Sequence, residues 1–285
     1  MKVALIHVPY HLGHEGVGMG AGPTTLLAAG LTSSLSDGGH DADVFSVRRE
    51  GAWTNEIAAS FAVLRLVADR VREAVAEDAF PLALAGNCMT SIGVVAGLGR
   101  ALGVVWLDAH PDFNTAEGTE SGFADGMGLS ILTGTGWDAM RATVPGYRAL
   151  AEANVVLVGI RDVAAAERER LRTSPIRVVA PDALDGVTSA LDGLREHVSE
   201  VYFHLDLDVL DPSEGRANEY AAAGGLNAGE VERLIEAVGD RFRIRGASVT
   251  AYDPLRDPEG FIPPTAIRLS SRIVEAAARE AVGAP

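Results

Sequence analysis

Asp108, His110 and Asp112 alternate within the segment WLDAHPD, directly after the apolar run of residues 103–107. A short apolar run of this kind is typical of a buried strand. On an extended chain, residues two apart point to the same face. The spacing therefore predicts a strand end that presents carboxylate, imidazole and carboxylate together, as a chelated metal ion requires.

A second acidic cluster follows another apolar run, residues 201–205, and contains Asp206 and Asp208 two positions apart. Carboxylates packed closely without a cation repel one another, whereas a divalent cation turns that repulsion into binding. Two clusters indicate two cations, although ordinary helix caps and turns are the alternative. Asp211 is out of phase with the pair and precedes Pro212, so we predict a turn residue there.

Composition limits the possible partners. The 285 residues carry 24 basic and 39 acidic side chains, a formal charge of -15, and 47% of them are hydrophobic. Such a charge repels nucleic acid and anionic membranes, and we find neither a signal peptide nor an apolar run of about 18 residues. The only cysteine, Cys88, fits a reducing compartment. We expect a cytoplasmic protein.

The apolar runs alternate with helical patterns. Valine- and isoleucine-rich runs occupy residues 2–8, 41–46, 81–85, 103–107, 154–159, 175–179, 201–207 and 243–250. Helical periodicity covers residues 54–75 and 228–238. This alternation predicts an α/β fold with a parallel sheet and helices on both faces, in which ligands bind beyond the carboxyl ends of the strands. Without a linker, we expect one domain, residues 1–285.

Two polar segments lie near the predicted strand ends. The long loop of residues 111–128 is rich in small polar residues, and we expect it to face a substrate. The glycine-rich segment of residues 11–23 should lead into a helix near Pro23.

Several motifs together resemble the arginase/agmatinase (ureohydrolase) family. They are DAHPD, DLDVLDP, GAGP at 20–23, DFNT at 112–115, TESG at 119–122, VGIRD at 158–162 and GGL at 224–226. The resemblance implies a three-layer α/β/α fold with an eight-stranded, mostly parallel sheet, and assembly into trimers or hexamers. It also implies two manganese ions with a bridging hydroxide that attacks a guanidinium or amidine carbon.

The resemblance also assigns the metal ligands. One ion would be held by Asp108, Asp112 and Asp206, and the other by His110, Asp108, Asp206 and Asp208, so that Asp108 and Asp206 bridge. Two cations that share one water lower its pKa and stabilise the tetrahedral intermediate. On this interpretation Asp108 and His110 belong to the catalytic centre.

The family's remaining ligand is a histidine, and the corresponding segment here, AGNCMTSIG at 85–93, has Cys88 at that position. The alternative for Cys88 is a small buried hydrophobic residue. Its place between a strand and a helix start suits a thiolate. A thiolate shifts the metal preference from manganese toward zinc or iron. The chain in this respect resembles family members that hydrolyse N-hydroxyarginine.

Two pocket positions depart from the family pattern. Ala251 occupies the position of a glutamate that pairs with the guanidinium, and an alanine offers no acceptor. Asp253 could replace it only if the backbone is displaced. Asp125 occupies the position of an active-site histidine, and its pKa would have to be raised for it to act as a general acid near neutrality.

The residues for the substrate's amino acid end are partly kept. Asn114, Thr119, Ser121 and Asp162 match the family's substrate-binding positions, whereas a second acid is replaced by Ala164. Hydrogen bonding within the loop is the alternative for the Asn/Thr/Ser set.

Four further polar residues belong to the predicted pocket or its surroundings. His11, His14 and Glu15 could reach the pocket mouth or be solvated. His204 alternates with Asp206 and Asp208, and we expect it to support the metal site or line the pocket.

Three hypotheses follow. The first is a binuclear metal-dependent hydrolase that cleaves a C–N bond in a small cationic amidine or modified guanidine, rather than plain arginine. The second is a metal-binding protein of this family without hydrolytic activity, favoured by Ala251 and Asp125. The third is an amide hydrolase that uses one metal ion.

Overall fold

The computed structural model describes residues 1–279, so the end of the predicted domain, residues 280–285, lies outside the described part. The strands are β1 (Lys2–Val8), β2 (Tyr10–His11), β3 (His14–Glu15), β4 (Asp41–Ser46), β5 (Phe80–Ala85), β6 (Gly103–Leu107), β7 (Val155–Val158), β8 (Arg177–Val179), β9 (Glu200–Asp206) and β10 (Arg243–Thr250). The helices are α1 (Gly22–Ala28), α2 (Leu31–Asp37), α3 (Glu56–Ala76), α4 (Thr90–Leu98), α5 (Gly128–Leu132), α6 (Asp138–Arg141), α7 (Ala165–Thr173), α8 (Val187–Arg195), α9 (Ala228–Gly239) and α10 (Ile262–Ala278).

Eight of the strands form one sheet in the order β4-β1-β5-β10-β9-β6-β7-β8. All pairings described within it are parallel. These are the eight strands predicted from the apolar runs. The short strands β2 and β3 form a separate antiparallel hairpin within the glycine-rich segment.

The sheet separates two hydrophobic cores, because alternate residues of each buried strand face opposite sides. In β5, Leu82 and Leu84 join one core, whereas Ala83 and Ala85 join the other. Helices α1, α2, α8, α9 and α10 contribute to the first core, and α3, α4 and α5 to the second. The predicted three-layer α/β/α fold is confirmed.

Side-chain caps set the start of two predicted helices. The Asn55 side chain accepts a hydrogen bond from the Ala58 backbone N–H at 2.9 Å, which fixes the beginning of α3. Asn227 and Glu230 cap the start of α9 reciprocally, at 3.0 and 2.9 Å. Such caps satisfy backbone donors that would otherwise have no partner.

The four central strands β5, β10, β9 and β6 are neighbours, and their carboxyl ends meet at one edge of the sheet. Cys88 follows β5, Ala251 follows β10, Asp206 ends β9 and Asp108 follows β6. Residues far apart in sequence are thereby brought together at the place where parallel sheets bind ligands. Within residues 1–279, the helices lack the combination of length and apolarity that a membrane crossing needs.

Candidate active site

The segment after β6 leaves the sheet at once. Strand β6 ends at Leu107, and Asp112 has a φ of +47°, in the left-handed region. The His110 N–H donates to Asp108 Oδ1 at 2.7 Å, and the Leu129 N–H donates to the Asp112 carbonyl at 3.0 Å. The predicted extended alternation is therefore wrong. A hydrogen-bonded turn, rather than a strand face, aims the three side chains into one cavity.

The second cluster lies at the end of β9, where Asp206 is the last strand residue and Asp208 lies in a short 3₁₀ turn. The Asp208 N–H donates to Asp206 Oδ1 at 2.7 Å, and the Ala109 N–H donates to Asp208 Oδ1 at 3.2 Å. These bonds join the two clusters. Asp211 instead accepts from the Ser213 N–H at 3.0 Å, as expected of a turn residue.

The side chains form two close donor groups. We call Cys88, Asp108, His204 and Asp206 the inner group, and Asp108, His110 and Asp208 the outer group. Within each group, one ligand atom per residue lies within 4.8 Å of all the others. Asp108 belongs to both groups. Among the described residues, Asp112 is outside both, although it lines the cavity above them.

Burial makes three carboxylates of the site, those of Asp108, Asp206 and Asp112, unfavourable as anions. Burial, and then the nearby Asp208, raise the pKa of Asp108 to about 7. Burial, followed by Asp208 and Asp108, raises the pKa of Asp206 well above its usual range. Burial and Asp108 do the same to the pKa of Asp112. A divalent cation would stabilise the ionised forms of all these groups, so the donor set fits such a cation.

The outer group has its own charge compensation. Burial opposes the charge on His110, but its contacts with Asp108 and Asp208 outweigh this and raise its pKa to about 12. Burial likewise opposes charge on Asp208, yet the hydrogen bond from His110 keeps its pKa below its usual range. His110 Nδ1 lies 3.4 Å from an oxygen of each carboxylate. A protonated His110 therefore compensates part of the negative charge of Asp108 and Asp208.

Cys88 lies in the inner group, two residues before α4 begins. Its thiol donates a hydrogen bond to Asp206 Oδ2 at 2.8 Å. Burial, and then Asp206, raise the pKa of the thiol well above its usual range. The helix start alone therefore does not produce the predicted thiolate, because burial and the surrounding carboxylates outweigh its effect. A bound cation would reverse that balance.

The predicted catalytic residue Asp125 lies on the cavity wall, buried. Its two oxygens accept hydrogen bonds from Asn87 Nδ2 at 2.6 Å and from the Met89 N–H at 2.8 Å. Burial raises the pKa of Asp125, although the Met89 and Asn87 bonds oppose the shift. The direction is the one that a general acid near neutrality needs.

The four predicted substrate-binding residues all line the cavity, which has a volume of about 670 Å³. The hydroxyls of Thr119 and Ser121 accept from loop N–H groups at 3.1 and 3.2 Å, as the alternative of loop hydrogen bonding predicted. Asn114 Oδ1 is buried without a hydrogen-bond partner in the described chain. Asp162 is 63% exposed, and its Oδ2 lies 3.7 Å from His110 Nε2.

Ala251 lines the cavity with a φ of +64° and is 3% exposed. Asn218 fixes this backbone, because its Nδ2 donates to the Ala251 carbonyl at 3.0 Å and to Asp208 Oδ2 at 3.1 Å. Asp253 is not among the cavity-lining residues. It caps the turn Pro254–Arg256 by accepting from the Leu255 N–H at 3.0 Å. Asp253 therefore does not supply the carboxylate that is missing at position 251.

Sequence reasoning missed several cavity residues. Asn218 has no periodic signal, because it lies in an irregular segment between the second cluster and α9. Glu167 was identifiable as a helix-start acid three residues after Ala164, where it accepts from the Ala164 N–H at 3.4 Å. Phe123 and Tyr220, whose ring centroids are 5.3 Å apart, line the cavity from separate loops.

Three further histidines lie under the cavity or near its surroundings. His204 is fully buried, below the cavity, and its ring stacks on Trp106 at 3.6 Å. His14 is exposed and stacks on Trp53 at 4.6 Å. His11 approaches the Phe123 ring edge-on at 6.0 Å. Neither His11, His14 nor Glu15 lines the cavity described above.

Comparison with known proteins identifies the family of this chain. The Arginase family model matches residues 1–279. Arginase of Bacillus subtilis is 29% identical over 283 residues, covering 94% of this chain and 95% of the relative. A crystal structure of arginase from Bacillus subtilis superposes with a TM-score of 0.87 at 28% identity, covering 98% of this chain and 99% of that one. The chain belongs to the arginase family.

A more distant solved structure shares the fold. Proclavaminate amidino hydrolase from Streptomyces clavuligerus has a TM-score of 0.71 at 21% identity, covering 97% of this chain and 92% of that one.

Proposed function

We propose that this protein is a binuclear, metal-dependent hydrolase that cleaves a C–N bond in a linear amidine or a modified guanidine other than plain arginine. One observation carries the proposal. Two donor groups share Asp108 at the base of an acidic cavity whose guanidinium-pairing position holds Ala251. The first feature supports metal-dependent hydrolysis, and the second supports an altered substrate.

The donor atoms suit two divalent cations. We propose that Asp108, His110, Asp206 and Asp208 hold one of them and that Cys88, Asp108 and Asp206 hold the other, with Asp112 alongside. When bound, the cations supply an acidified water and stabilise negative charge that develops at the attacked carbon. Carboxylates and imidazole accept manganese, whereas the thiol of Cys88 favours zinc or iron in its site.

Residues of the cavity wall would bind and orient the substrate. Glu56, Glu120, Asp162 and Glu167 give the cavity a negative lining that attracts an amidinium or guanidinium group. Asn114 lines the same cavity and its Oδ1 lacks a partner in the described chain, so it can accept a hydrogen bond from the substrate's amino acid end. We propose that Asp125 holds the proton that the leaving nitrogen takes up, since burial keeps its protonated form accessible.

The case against plain arginine rests on Ala251. A planar cation pairs best with a bidentate carboxylate, and leaving it unpaired in a pocket costs several kcal/mol. The Ala251 methyl group borders the cavity and provides only van der Waals contact. An amidine or an N-hydroxylated guanidine has a smaller or less basic C–N centre. Its binding free energy therefore falls less when the carboxylate at position 251 is absent.

The alanine at position 251 also supports a second candidate function, a metal-binding protein that no longer hydrolyses any substrate. Both candidates predict bound metal, and they differ only in turnover. We also propose a cytoplasmic homo-oligomer, a trimer or hexamer, on the resemblance to the family and the single cysteine. Light scattering after gel filtration would measure the subunit number.

Turnover should be tested with a panel of substrates. Protein reconstituted separately with Mn²⁺, Zn²⁺ and Fe²⁺ would be incubated with arginine, N-hydroxyarginine, agmatine, guanidinobutyrate and simple amidines, and released urea, hydroxyurea or ammonia measured. We expect one of the modified compounds to be hydrolysed faster than arginine. Metal-loaded protein that releases product from none of them would favour the non-hydrolytic alternative.

The role of position 251 has a matched test. Ala251→Glu places a carboxylate on the cavity wall without a new Cβ, and Ala166→Glu adds the same group to the exposed surface of α7. We expect Ala251→Glu alone to gain about tenfold or more in kcat/KM for arginine or agmatine, about 1.4 kcal/mol. An equal response of the two variants would reject position 251 as the cause of the altered specificity.

A further inference from the structure

His204 is a fully buried histidine that the proposed function does not use. It lies in β9, beneath the cavity, with its ring stacked on Trp106 at 3.6 Å. Its two ring nitrogens have different surroundings. Nδ1 faces the hydroxyl of Tyr202 at 3.1 Å, whereas Nε2 lies 3.4 Å from Thr250 Oγ1, which is itself 3.2 Å from Cys88 Sγ of the inner group.

The hydrogen bonds around Tyr202 determine which nitrogen carries the proton. The Tyr202 hydroxyl donates its single proton to Ser248 Oγ at 2.7 Å. It can therefore only accept from His204, so Nδ1 is the protonated nitrogen of the neutral ring. Nε2 then presents a free lone pair. A neutral imidazole in this state is the form that binds metal ions.

The contact that the described chain gives to Nε2 is a poor hydrogen bond. Thr250 Oγ1 lies 3.4 Å away, beyond the usual range for an N···O contact. The same hydroxyl proton can also go to the Leu205 carbonyl at 3.4 Å or to Cys88 Sγ at 3.2 Å. The Nε2 lone pair is thus not committed to a protein donor.

His204 offers one of four ligand atoms that lie within 4.8 Å of one another, the others coming from Cys88, Asp108 and Asp206. Because Nδ1 faces Tyr202, and because Nε2 shares the neighbour Thr250 Oγ1 with Cys88 Sγ, we assign Nε2 to this group. One nitrogen, one sulfur and two oxygens are a donor set that tetrahedral zinc accepts, at bond lengths of about 2.0–2.3 Å. Two ligand atoms bound to one cation at these lengths lie less than 4.8 Å apart, and the four donor atoms lie within that distance of one another.

We propose that His204 Nε2 is a direct ligand of the inner cation, together with Cys88, Asp108 and Asp206. The family pattern places an imidazole at position 88, and here the imidazole comes from beneath the site, on β9, while position 88 supplies sulfur. This proposal rests on the proposed function only in requiring a cation in the inner group. It makes the inner site a zinc or iron site, whereas the outer group keeps the harder donors that accept manganese.

The surroundings hold this imidazole in place. Trp106, which stacks on His204, also donates from Nε1 to Asp108 Oδ2 at 2.9 Å. One side chain therefore orients two of the four donors. The Tyr202 bond fixes the ring's tautomer from the other side. Such supporting contacts typically alter metal affinity by about 10- to 100-fold when removed.

Cadmium-113 NMR tests the proposal directly. The full-length chain, labelled with ¹⁵N-histidine and loaded with ¹¹³Cd²⁺, would be examined for scalar coupling between cadmium and imidazole nitrogen. The chain has seven histidines. The ligands taken from the family pattern include one of them, His110, whereas the His204 proposal predicts coupling to two. This count needs no variant that might fail to fold.

Variants assign the signals. His204→Asn keeps a donor toward Tyr202 and removes Nε2, so it should abolish one coupling and leave that of His110. His197→Asn, an exposed matched control, should leave both. Bound cadmium that couples to His110 alone would overturn the role of His204 and leave the proposed function intact. A chain that retains no cadmium would overturn both.

Discussion

The floor of the cavity and its mouth are built in different ways. The floor, formed by Cys88, Asp108, Asp206 and Asp208, is buried and tied to strand ends by backbone hydrogen bonds. The mouth is formed by the loops that carry Phe123 and Tyr220, and Tyr220 is 40% exposed. Rigid, buried donors hold chemistry that depends on sub-ångström placement, whereas loops can change with the substrate. The floor should therefore determine the reaction, and the mouth together with the wall position Ala251 its specificity.

The largest effect is expected at the floor. Asp206→Asn removes a charge at the residue that accepts the Cys88 thiol and the Asp208 N–H. We expect kcat/KM to fall on the order of 10³-fold, about 4 kcal/mol, because in the proposed site this carboxylate would serve both cations. Metal content would be measured on the same sample. Asp211→Asn, in the nearby turn, is the control, and equal losses in the two variants would contradict the separate role of the floor.

Asp125 lies between the two regions, and its replacement should have a smaller effect. In Asp125→Asn the amide can accept only one of the hydrogen bonds from Asn87 and Met89. We expect kcat to fall about 10²-fold and the free energy of unfolding by about 1–3 kcal/mol. Asn87→Ala removes one of these bonds but keeps the carboxyl group. If Asn87→Ala lowers kcat equally, the contribution of Asp125 is structural.

The floor should also make stability depend on pH and metal together. Burial and Asp208 raise the pKa of Asp108 from 3.8 to about 7. Between these values the folded, metal-free chain binds more protons than the unfolded chain, so its free energy of unfolding falls as pH rises. Cations bound to the same carboxylates would replace these protons. The Tm difference between metal-loaded and metal-free protein should widen from about pH 4 to pH 7, and a constant difference by calorimetry would reject this coupling.

The smallest effect is expected at the mouth. Tyr220→Ala removes the ring that faces Phe123 at 5.3 Å. An aromatic contact contributes about 0.5–1.5 kcal/mol, so KM should rise about three- to tenfold while kcat and metal content stay unchanged. Tyr220→Phe keeps the ring and should behave as the wild type. A large loss of kcat in Tyr220→Ala would place the mouth in the chemistry.

The sequence predicted the elements better than the geometry at their ends. The eight sheet strands follow from apolar runs, because burial on both faces leaves a direct compositional signal. The alternation of Asp108 and Asp112 was misleading, since the strand ends at Leu107 and Asp112 adopts a left-handed φ. The turn depends on hydrogen bonds such as that from Leu129, which lies in a distant segment.

His204 shows the opposite case. Its alternation with Asp206 indicated a place beside the acidic residues, and both side chains lie on β9 and in the inner group. Sequence could not reveal its neighbours Trp106 and Thr250, which come from the adjacent strands β6 and β10. Cavity residues from irregular segments, Asn218 and Tyr220, have no periodic signal at all.

The metal content of the purified chain tests the central claim most directly. After equilibrium dialysis against Zn²⁺ and Mn²⁺, elemental analysis would give the number of cations bound per chain. Two donor groups that share Asp108 predict two. A chain that binds no divalent cation would contradict the account.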